Sequence, residues 1–298
     1  METTSPSTDP NRARLAEVVR WSCCALCGLL LSLGLSRTAR ADVPSWLPRY
    51  DLGVRIDVAE HRVVVRERVT WFNRHARPAS ELVFNAHAHY SVPSADLGLL
   101  AKTLEILRLA PSDAIDLHGP PLRVEKVCLV SDGAVGDSAA PVSLPFCYRA
   151  DNDTALEVTL PREVHQNEQV TIEVTFTLRL PQRQGRWGQW EGVTTLAQWL
   201  PVLAFYDDQG WQPTPFIPWH QPFFNEAGIY TARIDLPAEQ KLACSGSIAG
   251  ETDSRDGRRL VEVHAVGVRD FTLTCSARYQ ELTGQVGPVR LHCFALPG

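Results

Sequence analysis

The side chains best suited to chemistry in this chain are its nine histidines and eight cysteines. Zinc hydrolysis needs two histidines one helical turn apart with a glutamate between them. Positions i and i+4 then face the same metal, and the glutamate activates the bound water. No such His-Glu-x-x-His pair occurs. His87 and His89 stand two residues apart and would share one face at a strand end, but no third histidine, cysteine or carboxylate pattern lies nearby. The plainer reading is a strand-to-loop junction. His118, His165, His220 and His264 are isolated. There is no Gly-x-Ser-x-Gly elbow, no Gly-x-x-x-x-Gly-Lys-Ser/Thr loop and no Gly-x-Gly-x-x-Gly fingerprint, and Ser245, in Cys244-Ser245-Gly246, has no activating frame. The residues by themselves assign no catalytic, cofactor-binding or metal-binding position.

The cysteines turn on compartment. Arg12, Arg14 and Arg20 precede an apolar run from Trp21 to Leu35, and Ala39-Arg40-Ala41 then forms a small-x-small cleavage signature before Asp42. This predicts a secretory signal peptide over residues 1–41 and an extracytoplasmic location, periplasmic or secreted. The run falls short of the roughly 20 apolar residues that span a bilayer, so membrane anchoring through an uncleaved leader is the secondary reading. Cys23, Cys24 and Cys27 leave with the leader. Cys128, Cys147, Cys244, Cys275 and Cys293 remain, and an oxidising compartment favours bridging of close pairs. Cys128 with Cys147 and Cys244 with Cys275 are the favoured pairs, each lying in strand-like runs at hairpin or neighbouring-strand distance. Ordinary buried thiols are the open alternative.

The elements that must carry these residues are strands. From Trp46 onward the apolar pattern is mostly of period two, in runs bounded by Pro, Gly, Asp or Asn. The runs are Tyr50 to Asp57, Arg62 to Asn73, Glu81 to Asn85, Thr103 to Ala110, Leu122 to Val130, Ala155 to Leu160 and Gln169 to Leu180. They continue through Gly228 to Leu236, Lys241 to Ile248, Arg259 to Ala265, Asp270 to Tyr279 and Val289 to Phe294. Along Thr171 to Leu180 polar and apolar residues alternate throughout, which gives one wet and one buried face. No long amphipathic helix is expected. The 21 prolines and 19 glycines suit short strands and turns, so the fold class is all-β, a multi-stranded antiparallel sandwich. A net charge of -5 without a basic stripe argues against nucleic-acid binding. Between Arg186 and Trp219 the texture changes: Trp187, Trp190, Trp199, Trp211 and Trp219 fall in a turn-rich stretch. Such tryptophans line a ligand groove or, more plainly, plug a join between sheets or dock a neighbouring domain.

Several segments resemble the saddle-shaped N-terminal β domain of aminopeptidase N type zinc metallopeptidases. Tyr50-Asp51-Leu52-Gly53-Val54-Arg55-Ile56-Asp57, followed by His61 to Val65 and by Arg66-Glu67-Arg68-Val69-Thr70-Trp71-Phe72-Asn73, is similar to that family's first hairpin. Leu82-Val83-Phe84-Asn85-Ala86-His87 is similar to its next strand. Pro201 to Asp208 with Gly210-Trp211, then Gln221-Pro222-Phe223-Phe224-Asn225-Glu226-Ala227-Gly228-Ile229-Tyr230, and then Arg269-Asp270-Phe271 follow in the family's order.

The resemblance implies two parts, residues 1–41 as signal peptide and 42–298 as the β domain. A thermolysin-like catalytic domain, in cis beyond Gly298 or in trans, would carry the zinc, its ligands and the peptide-cleaving machinery. The implied role is to wall off and shape the cleft for a peptide substrate, with zinc a property of the full-length family member. A surface meant for that partner would leave an exposed apolar patch. The family's N-terminal domain also lends a Gln or Glu to the substrate amine. Gln189, Glu191 and Gln198 lie in the corresponding region, but Thr194 to Pro201 departs from the family pattern and no binding residue is carried over. The alternative is a free-standing secreted β-sandwich module that binds a ligand or partner through its Trp-rich surface.

Overall fold

Strand forms where the two-residue alternation is sustained. The computed structural model describes residues 43–108, 110–111, 115–131, 142–217, 224–254 and 256–297. The expected leader lies outside these residues, as do Trp219 and His220. Strands are numbered in chain order. The largest sheet runs β16 (Ser247–Asp253), β17 (Arg258–Val268), β14 (Gly228–Pro237), β1 (Arg49–Asp57), β2 (Arg62–Phe72), β8 (Gln169–Arg179), β4 (Leu122–Ser131) and β5 (Val142–Ser143). All its neighbours are antiparallel except β1 with β14. A second sheet orders β11 (Val202–Leu203), β3 (Ala79–Asn85), β7 (Asn152–Val164) and β6 (Phe146–Arg149). A third orders β15 (Lys241–Cys244), β18 (Leu273–Ser276), β10 (Val193–Leu196) and β9 (Trp187–Trp190). Two hairpins complete the set: β12 (Phe205–Asp207) with β13 (Gly210–Gln212), and β19 (Gln280–Val286) with β20 (Val289–Ala295). The fold is all-β.

One apolar cluster joins the three larger sheets, with Ile56, Val65, Ile172 and Phe176 from the first, Leu82, Phe84 and Leu156 from the second, and Leu196 and Leu273 from the third. Full burial of each such side chain stabilises by about 1.5–3 kcal/mol, which is why the alternation decides the fold. Strand β8 is the clearest case, with Val170, Ile172, Val174, Phe176 and Leu178 buried and the residues between them partly wet. One inward position breaks the pattern. Glu67 lies between Leu52 and Val174 in the sheet, is fully buried, and neither carboxylate oxygen has a partner. Burial pushes its carboxyl well above the ordinary range, favouring the neutral form.

Two sequence expectations are corrected. Thr103 to Ala110 is not a strand: Leu97–Ile106 is a helix, α1. Leu97, Leu100, Ala101 and Leu104 recur at i, i+3, i+4 and i+7, a helical stripe, and Leu104 is the residue it buries. Lys241 to Ile248 is two strands, because the chain crosses from the third sheet to the first at Gly246. That glycine has φ +118°, and a Cβ there would sit 2.6 Å from the His264 carbonyl oxygen. Only glycine fits so close an approach.

Candidate functional site

The segments that resemble the peptidase family lie far apart in sequence and meet in one knot. Tyr50 of β1 stacks on Tyr230 of β14 with ring centroids 4.5 Å apart, and Tyr230 stacks on Phe271 at 5.6 Å. The close fit requires Gly228, where a Cβ would stand 2.8 Å from the Tyr50 ring. The Tyr50 hydroxyl accepts the Leu203 N–H at 3.2 Å and so ties β1 to β11. Asn85, at the end of β3, donates from Nδ2 to Asn225 Oδ1 at 3.0 Å and accepts the Thr214 N–H at 2.9 Å. Arg269 Nη1 in turn donates to the Asn225 carbonyl at 2.7 Å. Asp270 Oδ2 accepts the Gln198 N–H at 2.9 Å and the Thr272 hydroxyl at 2.8 Å, while Trp199 Nε1 donates to the Phe271 carbonyl at 2.8 Å. Each of these bonds satisfies a loop backbone group or a buried side chain that would otherwise cost about 1–3 kcal/mol. The knot fixes the path of Gln198–Ile217, the segment that sequence periodicity left unassigned.

That segment and the Pro181–Trp187 turn frame a cavity of about 340 Å³. Trp187, Phe216 and Tyr90 form its aromatic walls, with Phe216 5.3 Å from Trp187 and 4.7 Å from Tyr90. Arg183, Arg186 and Asp116 are its charged lining. The turn is tight: Arg183 and Gln189 N–H both donate to the Pro181 carbonyl, and a Cβ on Gly188 would come within 2.6 Å of that same oxygen. Asp116 accepts from Arg179 Nη2 at 2.8 Å and from the His118 N–H at 3.0 Å. Its carboxyl lies below the ordinary range, because these donors outweigh its partial burial. Burial disfavours the Arg186 cation and raises the Tyr90 phenol to about 12. The cavity therefore combines apolar walls with an excess of positive charge, which suits an anionic, partly apolar guest.

The residues singled out from sequence mostly have structural work. His87 and His89 form a short 3-10 turn after β3. His87 Nε2 contacts the Thr214 carbonyl at 3.0 Å, and burial lowers its pKa to about 4, so it sits neutral inside the knot. His89 stacks on Tyr148 at 3.6 Å and contacts the Asp153 carbonyl at 2.7 Å. Among the described residues no group of three or more His, Cys, Asp or Glu side chains is placed to hold a metal. These described residues do not fit a zinc centre. Ser245 Oγ accepts the Thr272 N–H at 3.2 Å. Gln189 is buried, donating to the Val58 carbonyl and Thr194 Oγ1 and touching His61 Nδ1, so it pins the β1–β2 turn rather than facing a cleft. Glu191 lies in the exposed β9–β10 turn, and Gln198 has its Oε1 buried without a partner.

The tryptophans divide between the two readings. Trp199 is fully buried and Trp211 donates from Nε1 to the Glu81 carbonyl at 2.9 Å, so both plug joins between elements. Trp187 faces the cavity. The cysteines Cys128, Cys147, Cys244 and Cys275 are thiols in this structure. In the β15–β18 ladder Cys244 is opposite Leu273 and Cys275 is opposite Leu242, so the two stand on a diagonal. Diagonal neighbours are roughly 7–8 Å apart, outside the usual 4.4–6.8 Å span of bridged Cα atoms. Burial raises both thiols to about 11. Cys128 pairs with Ser143 in the first sheet, whereas Cys147 pairs with Glu157 in the second. The signal that identifies the cavity, two arginines and a tryptophan within Arg183–Trp187 next to Pro181, was present in the sequence. The approach of Tyr90, Asp116 and Phe216 to it was not.

No protein-family model and no curated protein matches the chain. Among solved structures it is similar to the M1 zinc metallopeptidase from Deinococcus radiodurans, at 16% identity and a TM-score of 0.47, over 84% of this chain and 47% of that one. A mutant of the M1 zinc metallopeptidase from that organism, bound to a Tyr-Ser-Ala substrate, gives 17% identity and the same TM-score over 83% of this chain and 46% of that one. A two-domain M1 zinc metallopeptidase mutant bound to L-arginine gives 14% identity and a TM-score of 0.47, over 83% of this chain and 46% of that one. The chain spans just under half the length of each of these structures.

Proposed function

We propose that this chain is the non-catalytic β domain of an exported zinc aminopeptidase, which shapes the substrate cleft and packs on a thermolysin-like domain that carries the metal. The observation behind this reading is the knot: Tyr50, Asn85, Leu203, Asn225, Tyr230, Arg269 and Phe271 come from the segments that resemble the family, with Tyr50, Leu203, Tyr230 and Phe271 joined in one set of contacts and Asn85, Asn225 and Arg269 in another. Residues that only shape a scaffold are expected to be used in this way. The β19–β20 hairpin supplies a surface for the partner. Leu282, Val286, Val289 and Leu291 share one of its faces and are 65%, 66%, 55% and 48% exposed. A row of apolar side chains left this open marks an interface. The peptide substrate, the zinc and the export belong to the same proposal. Pairing of Cys128 with Cys147 and of Cys244 with Cys275 in an oxidising compartment also belongs to it, and would need local shifts of the ladders described above.

A second reading, a free-standing secreted binding module, is favoured by one feature, the cavity beside Trp187. One experiment separates the two. The coding sequence after codon 298 is read in all three frames, and the full chain is assayed with zinc on an aminoacyl-anilide. The aminopeptidase reading expects a His-Glu-x-x-His downstream and no hydrolysis by this chain alone. A downstream region without that motif would leave the binding module, and hydrolysis by the chain alone would refute both.

A further inference from the structure

We propose that the cavity between the Pro181–Trp187 turn and Phe216 is a binding site for a small molecule that joins a carboxylate to an aromatic or branched apolar body. This assignment goes beyond the peptidase reading and does not depend on it. The anionic half follows from Arg183. Its Nε and Nη1 are shut off from solvent without a hydrogen-bond partner, and its Nη2 stands 3.6 Å from Asp116 Oδ1, too far for a hydrogen bond. A guanidinium has five donors and cannot shed its proton, so the deficit is met when a small rotation of the side chain turns these donors toward an acceptor in the cavity that Arg183 lines. Asp116 does not meet it, because its oxygens already serve Arg179 and His118. Arg186 adds a second cation to the same wall, and burial acts against its charge. An anion entering the cavity brings acceptors to Arg183 and a second counter-charge beside Asp116, whereas a cation is repelled and a neutral guest leaves the Arg183 donors unmet.

The apolar half follows from the remaining walls. Trp187, Phe216 and Tyr90 line the cavity in tilted ring contacts, and Leu100 and Ile115 add aliphatic lining. The volume, about 340 Å³, is at the small end of ligand pockets, roughly 300–1,000 Å³. That excludes a folded partner and suits a molecule the size of an amino acid or short aryl acid. Inorganic phosphate would satisfy Arg183 and leave the aromatic walls unfilled.

The test uses the full chain with 3-phenylpropionate, its uncharged amide and inorganic phosphate. Binding is read by calorimetry and by the change in tryptophan fluorescence. The acid is expected to saturate, and the amide to bind about tenfold or more weakly, the worth of one hydrogen-bonded charge pair. Arg183→Met is expected to bring the acid down to the level of the amide and leave the amide unchanged. Phe216→Ala should weaken acid and amide alike. Equal affinity for acid and amide, competition by phosphate as strong as by the acid, or no binding to a folded chain each overturns the proposal. If Arg183→Met does not fold, Arg183→Lys takes its place, with a smaller expected loss for the acid, and the acid-to-amide ratio of the unaltered chain still decides.

Discussion

The eight-stranded sheet and the Gln198–Ile217 segment solve the same problem by different physics. In the sheet, inward side chains are apolar, the ladder satisfies the backbone, and stability is distributed over many contacts. In the segment, strands of two or three residues cannot satisfy their own backbone, so it is held at a few points by Asn85, Asp270 and Tyr50. The first arrangement is cooperative, so a loss at one core position is shared by the whole sheet. The second depends on single side chains, and it is the one that borders the cavity.

Five changes sharpen this contrast. The largest effect is expected for Phe176→Ala, fully buried at the middle of β8: about 3–5 kcal/mol, read as a lower urea midpoint with sheet and segment melting together. Next comes acid. His87 has a folded pKa of about 4 against 6.5 unfolded. The unfolded chain therefore takes up the proton first, and the stability present above pH 6.5 drains as pH falls toward 4. The loss is on the order of 3 kcal/mol, and His87→Gln should flatten it in acid titrations followed by circular dichroism. Glu67 has the opposite sign. Its folded pKa is raised, so its contribution is full below pH 4.5 and is lost as pH rises toward the folded value. Glu67→Gln should remove that alkaline decline in the same titration.

Asn85→Ala is expected to cost about 2 kcal/mol, through the Thr214 amide and the Asn225 side chain left unpaired. Its signature is local: hydrogen exchange should speed up across Gln198–Ile217 while β2 and β8 stay protected. If Asn85→Ala loosened the large sheet equally, the contrast between the two regions would fail. Arg68→Ala removes only an exposed pair to Glu173 at 3.4 Å. It should shift the urea midpoint by no more than about 0.5 kcal/mol worth of stability.

The same contrast explains what the sequence made legible. Strands β1, β2, β8, β14 and β17 were readable because each presents one face to the core, so a period of two survives in the residue order. Helix α1 was missed because its stripe spans Leu97 to Leu104, and reading from Thr103 sees only the end of it. The break at Gly246 depends on a carbonyl eighteen residues on, at His264. The knot and the cavity are long-range in the same sense. Asn85 and Asn225 meet across 140 positions, and no local pattern marks two asparagines as partners. Glu67 reads as an ordinary charge in Arg66-Glu67-Arg68, and only the phase of β2 turns it inward.

The most direct measurement on the central claim, that this chain is scaffold rather than catalyst, is an aminopeptidase assay on the full chain. Purified protein is incubated with zinc and a panel of aminoacyl-anilides, with a chelator control, while zinc uptake is followed by calorimetry. A scaffold gives hydrolysis no faster than the buffer blank and no stoichiometric zinc binding. Chelator-sensitive hydrolysis that scales with protein concentration would contradict it.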